Sequence, residues 1–164
     1  MGDTSAEKRI EIVVECDAQS SGKMRNDIEV RVPGFNETWQ LATDEGSMHG
    51  GDGTAPPPLA LFGAGLAGCL MTQIRAFAKR MGISLRGVKV YAKLRWELRQ
   101  TGRDPYVAAP LSFGLDVDLD SDAPVEDLKR LLDAAREGCF VEQTLVRANA
   151  LEHRLKVGEG WIAV

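Results

Sequence analysis

Three cysteines, Cys16, Cys69 and Cys139, are the side chains of this 164-residue sequence best suited to nucleophilic or redox chemistry. A thiolate attacks peroxides and disulfides, whereas a buried neutral thiol packs as a small apolar group. Cys69 sits in "GAGLAGCLM" (63–71), a run with no charge and no hydroxyl. Ala64, Gly65, Ala67 and Gly68 leave space beside its sulfur, so core filler and reactive thiol both stand as readings. Cys139 follows Gly138, at the expected end of a second helix. Two thiols this far apart in sequence, each among close-packing neighbours, can meet in a fold. Cys16 lies between Glu15 and Asp17, whose charges disfavour a thiolate, and reads as structural or incidental.

Other candidates carry less. There is no CxxC pair, and His49 and His153 are the only histidines, so no four-ligand zinc site is spelled out and no metal is expected. His49, in a glycine-rich loop, reads as a surface residue. The acidic run "DVDLDSD" (116–122) lacks the spacing and glycine of a calcium loop, and strand alternation turns its carboxylates to solvent. Trp39, Trp96 and Trp161 read as core or contact aromatics.

Several elements must position these residues. "RIEIVVEC" (9–16) is rich in β-branched residues and is expected as a strand, ended by the break "AQSSGK". "NDIEVRV" alternates, with Ile28, Val30 and Val32 on one face and Asp27, Glu29 and Arg31 on the other. Pro33-Gly34 turns the chain into a third strand over 38–42, and a Gly- and Pro-rich loop spans 44–58. Pro58 opens a helix over 59–81, with Arg75, Lys79 and Arg80 towards its end and Gly82 as its stop. Its first half is apolar all round, which predicts burial on every side and a second subunit to provide it. Strands follow over 88–100, with Val88, Val90, Ala92, Leu94, Trp96 and Leu98 on one face, and over 111–119, with Leu111, Phe113, Leu115, Val117 and Leu119 inward. A helix capped by Ser121 or Asp122, with Leu128, Leu131, Leu132 and Ala135 as its core stripe, runs to Gly138. A turn over 140–146 and a last strand over 150–157 complete the order β-β-β-α-β-β-α-β. One-face-apolar strands suit antiparallel sheets, so the class is α+β in a single domain, 1–164, with 1–8 as a flexible tail.

Composition sets outer bounds. Apolar residues make up 44% and charged residues 27%, as in an ordinary soluble domain. A net charge of -4 argues against a nucleic-acid partner. No basic segment precedes an apolar one at the start, so no signal peptide is expected, and the most apolar run (59–71) is short and glycine-rich for a bilayer span. A cytoplasmic protein with no membrane partner is the expectation.

"GGDGTAPPPLALFGAGLAGCLMTQI", followed later by "AAREGCFVEQTL", resembles the OsmC/Ohr family. The matching positions are Gly50, Gly51, Asp52, Ala55, Pro56, Pro58, Leu59 and Cys69, then Ala134, Cys139, Val141, Thr144 and Leu145. The element order agrees, and the likeness runs from about Arg9 onward. The resemblance implies an intertwined homodimer, with antiparallel sheets around buried central helices. It also implies thiol-dependent reduction of organic hydroperoxides. Cys69 would then be the peroxidatic thiol and Cys139 the resolving one, forming a disulfide that an external dithiol reductant of lipoyl type reopens. No bound cofactor is implied.

An arginine that activates the peroxidatic thiol belongs to the family pattern, and Arg25 is its candidate here; its other reading is a solvated loop arginine. The glutamate that holds that arginine would fall at Leu59 or Ala60, and the proline after the second cysteine is Phe140. Asp44, Glu45 and Asp52 are the carboxylates available in the preceding loop. Two functions follow: a dimeric two-cysteine hydroperoxide reductase, or a catalytically weak or inactive module of the same fold that binds a small apolar ligand in its interface cleft.

Overall fold

The structure, a computed structural model, describes residues 8–164. The tail expected over 1–8 lies, apart from Lys8, outside the described residues. The chain is mixed α+β and falls into two compact units, Met1–Phe62 and Gly63–Val164.

In the first unit, β1 (Glu15–Ser20), β2 (Asn26–Val32) and β3 (Glu37–Thr43) form an antiparallel meander. The alternation of β2 gives the sheet its two faces. Ile28 lies opposite Ala18 and Leu41, and Val30 opposite Cys16 and Trp39, which makes one apolar face. On the other face Arg31 binds Glu29 at 2.6 Å, Asp17 at 2.7 Å and Glu15 at 3.4 Å. The first strand is displaced from the expected 9–16, because the turn decides its register. The Ser21 N–H donates to the Arg25 carbonyl at 2.9 Å, which pairs Ser20 with Asn26 and brings Glu15 level with Arg31 near the end of β2. Residues 8–14 therefore form no ladder, and Ile10, Ile12, Val13 and Val14 stay exposed.

Helix α1 (Pro58–Met81) stops at Gly82, whose φ of 69° only glycine adopts without strain. Burial on every side is not what the single chain provides. One stripe, Leu66, Leu70, Ile74 and Ala78, is buried at helical spacing, while Leu59 and Met81 are exposed. At 24 residues the whole helix has the length and apolarity of a membrane span, which the 59–71 run alone does not.

The second unit builds its core on that stripe. Strands β4 (Gly87–Arg99) and β5 (Val107–Asp120) pair as a long antiparallel hairpin. Val88, Val90, Leu115, Val117 and Leu119 pack on α1 and on α2 (Val125–Gly138), whose Leu131 and Ala135 are fully buried. Leu111 was expected inward but is half exposed. The register slips between Arg95 and Trp96, so that Arg95 faces Ser112 and Trp96 faces Pro110, and Leu111 is the extra residue of a bulge. Pro110 has no N–H to give the ladder, which suits it to that position.

The start of α2 also departs from expectation. Ser121 Oγ accepts the Ala123 N–H at 3.1 Å and donates to the Ser84 carbonyl at 2.6 Å, while Asp122 pairs with Arg86. Neither caps the helix, where the Asp127 and Leu128 N–H groups donate to the Pro124 carbonyl. The turn expected after Cys139 is a helix, α3 (Phe140–Val146), and the last strand is a hairpin of β6 (Arg154–Val157) and β7 (Gly160–Ala163).

Candidate active site

Cys69 and Cys139 meet in the core of the second unit. Cys69 lies on α1 one turn before Gln73 and two before Phe77, so these three share a side of the helix. Gly138, the last residue of α2, rests on that side. A Cβ at Gly138 would lie 2.6 Å from the Phe77 ring, so only glycine lets the helices approach this closely here. The next residue, Cys139, is thereby brought against Cys69, which packs on the same cluster. Cys139 also extends the Leu131–Ala135 stripe by one more turn and is fully buried. The small residues around Cys69 and the glycine before Cys139 are the local reasons that two thiols fit side by side.

Burial raises the Cys139 thiol to about 11. The Glu142 amide pulls the other way, while hydrogen bonding and charge from Cys69, and the Glu142 charge, add to the rise. Cys139 is therefore a neutral thiol at neutral pH. An open groove of about 610 Å³ runs alongside, lined by Gln73, Phe77, Arg80, Gly138, Phe140 and Thr144 among others. A smaller cavity of about 290 Å³ has Leu70, Leu132, Phe113, Leu115 and Val117 as its apolar walls and Arg136 and Glu142 as its charged residues.

Arg25 belongs to the first unit, just ahead of β2, and is not a free loop arginine. Its Nε donates to Asp27 Oδ1 at 3.0 Å and its Nη1 to Thr54 Oγ1 at 2.9 Å. Thr54 Oγ1 in turn donates to Asp44 Oδ2 at 2.8 Å, and the Thr54 N–H donates to the same oxygen at 2.9 Å. Asp44 is 1% exposed. The Thr54 amide, the Thr54 hydroxyl and the Glu45 amide hold its carboxyl below the usual carboxylate range against the cost of burial. Gly51 lets the loop fold this tightly, since a Cβ there would sit 1.8 Å from the Glu45 carbonyl oxygen.

Of the three carboxylates available in the loop, Asp44 alone reaches Arg25, through Thr54. Glu45 instead binds His49 at 3.3 Å and Asp52 binds Lys23 at 2.7 Å. Leu59 and Ala60 stand exposed on the first turn of α1. Asp27 and Thr54 were not anticipated from sequence. The signal for Asp27 was its place two residues after Arg25, on the same side of an extended segment. Thr54 carried no comparable signal. Cys16 is exposed in β1 of the first unit, and His49 is exposed.

Residues 51–154 match the protein family described as OsmC-like protein. Among solved structures, the chain is similar to an OsmC-like hydroperoxide resistance protein from Jannaschia sp. ccs1. The identity is 46%, over 95% of this chain and 100% of that one, with a TM-score of 0.65. It shares its fold with an organic hydroperoxide resistance protein from Legionella pneumophila, at 20% identity over 85% and 91% of the two chains and a TM-score of 0.57. One from Elizabethkingia anophelis is similar at 17% identity over 87% and 93%, with a TM-score of 0.58. Comparison with curated proteins gave no match.

Proposed function

From the premise that the chain belongs to the OsmC-like family, we propose that it is a thiol-dependent peroxidase that reduces organic hydroperoxides through Cys69 and Cys139. One observation carries this reading: two of the three thiols, from distant parts of the sequence, lie together as interacting partners. The name of the relative from Jannaschia sp. ccs1, a hydroperoxide resistance protein, points the same way.

In this scheme the Cys69 thiolate attacks the terminal peroxide oxygen. The O–O bond breaks, the alcohol departs with a proton, and Cys69 is left as a sulfenic acid. Cys139 condenses with it, releasing water and leaving a disulfide. A dithiol of lipoyl type then reopens the bridge by exchange and carries away the oxidising equivalents. The family resemblance gives Arg25 the role of favouring a thiolate at Cys69; within the first unit Arg25 is held by Asp27 directly and by Asp44 through Thr54. The apolar surface that one chain leaves open, on α1, at Trp39 and Leu41 and over 10–14, fits a homodimer. Three free thiols fit a reducing, cytoplasmic setting.

The test is a brief pulse of an organic hydroperoxide followed by mass spectrometry of the thiols, on wild type and Cys69→Ser. A Cys69–Cys139 disulfide should form rapidly at low peroxide and be absent from the variant. Both thiols remaining reduced in the wild type would refute the proposal.

A further inference from the structure

Glu142 is a largely buried charge that the scheme above leaves unused. Its Oε1 accepts from Arg136 Nε at 3.2 Å, and the side chain is 14% exposed. Its Oε2 is buried and has no hydrogen-bond partner among the described residues. A buried carboxylate oxygen without a donor is costly, and a catalytic role is one reason such a group is retained. The nearest chemistry is that of Cys139. Glu142 follows it by three residues across the first turn of α3, the spacing at which helical side chains are neighbours, and its charge acts on the Cys139 thiol.

We propose that Glu142 is the proton acceptor for Cys139 when that thiol resolves the sulfenic acid on Cys69. The inference rests on the peroxidatic reading of Cys69 and adds the base which the second step requires. Glu142 Oε2 takes the proton from the Cys139 thiol, and the sulfur attacks the Cys69 sulfur. The S–S bond forms, the S–O bond breaks, and the departing hydroxide takes the proton back from Glu142 to leave as water. Sulfenic acid and thiol thus become disulfide and water, with no further oxidant or reductant.

The electrostatics favour a transfer coupled to the attack. The Glu142 charge opposes a thiolate standing at Cys139, which favours moving the proton as the sulfur attacks. A thiol pushed this high leaves only about one molecule in 10⁴ as thiolate near neutral pH, so resolution without a base would be slow. Among the described residues, Cys69 from α1 and Glu142 act on the Cys139 thiol, Arg136 from α2 binds Glu142 and also pairs with Asp133 at 3.7 Å, and Arg80 from α1 and Glu137 from α2 line the adjoining groove. From β5 the neighbouring cavity receives Phe113, Leu115 and Val117, none of them charged. Arg136 binds the opposite carboxylate oxygen and so leaves Oε2 for the proton.

The experiment is a single turnover with cumene hydroperoxide between about pH 6 and pH 9, on wild type and Glu142→Gln. Cys69 sulfenic acid is followed by trapping with dimedone, and the disulfide by mass. Wild type should resolve at a rate nearly independent of pH. Glu142→Gln should form sulfenic acid at the wild-type rate but resolve it roughly 10²-fold more slowly, with about a tenfold gain per pH unit as hydroxide takes over. Resolution in the variant at the wild-type rate, with the same profile, would overturn the proposal. A tenfold gain per pH unit in wild type itself would also overturn it, without need of a variant. If wild type forms no sulfenic acid on Cys69, the first step is missing and both readings fall together.

Discussion

Raising the pH should destabilise the wild-type protein relative to its Cys139→Ala variant, because the fold holds that thiol in its neutral form. Burial moves Cys139 from an ordinary value of 9.0 to about 11. Below about pH 9 the thiol is neutral in both folded and unfolded chains, and its contribution to stability is complete. Between about 9 and 11 the unfolded chain ionises while the folded one does not, so stability is lost as the pH rises. Above about 11 both states carry the charge and the loss levels off. At 1.36 kcal/mol per unit, a shift of this size amounts to about 3 kcal/mol for a fully buried side chain. Tyrosines and lysines ionise in the same range, so the quantity to measure is the difference between two proteins. Urea denaturation under reducing conditions, at steps from about pH 7 to pH 11, gives it directly. The cavity left by alanine shifts the whole difference by a constant, whereas the thiol makes it change with pH. A difference that stays flat across that range would refute the assignment of Cys139 as a thiol held neutral by burial.

The close approach at Gly138 and the support of Arg25 give two further tests. Gly138→Ala places a methyl 2.6 Å from the Phe77 ring, so the ring must swing or α2 must lift from α1. The expected cost is about 1–3 kcal/mol in thermal or urea unfolding, with slower formation of the Cys69–Cys139 disulfide; adding Phe77→Leu should restore part of both. Thr54→Val removes the hydroxyl between Arg25 and Asp44, whereas Thr54→Ser keeps it. Peroxide consumption should fall by roughly tenfold in the valine variant and change by less than about twofold in the serine variant; equal rates in the two would show that the hydroxyl does not support the arginine.

What could be read from the sequence, and what could not, divides along physical lines. The hairpin of β4 and β5 was legible because long apolar alternation leaves few other arrangements. The extent of α1 was legible from Pro58 and Gly82 at its ends. The pairing of Cys69 with Cys139 was visible only as a possibility, since it depends on Gly138 meeting Phe77, a contact between elements far apart in the chain. The start of β1 was misplaced because strand propensity cannot see a register set by the Ser21–Arg25 turn. Leu111 lost its inward place to a bulge that alternation alone does not reveal. Asp122 had the right type for a cap but was already engaged by Arg86 from before β4. Arg25 was singled out as the candidate activating arginine. Its partners Asp27 and Thr54 were not, since hydrogen bonds between side chains leave little periodic trace.

Cys139 extends the Leu131–Ala135 stripe, and this has a consequence for how such a chain drifts over generations. A residue that belongs to the core and, on the proposed function, also to the chemistry is under two selections, and they part company as soon as the chemistry is relaxed. A lineage that no longer met peroxides would still need a small apolar side chain at this position to fill the turn after Ala135, and alanine would serve. Mutational tolerance measured by folding alone should therefore accept such replacements at 139, while tolerance measured by growth under peroxide should not. The distance between those two profiles at this one site measures how far the fold and its activity can evolve apart.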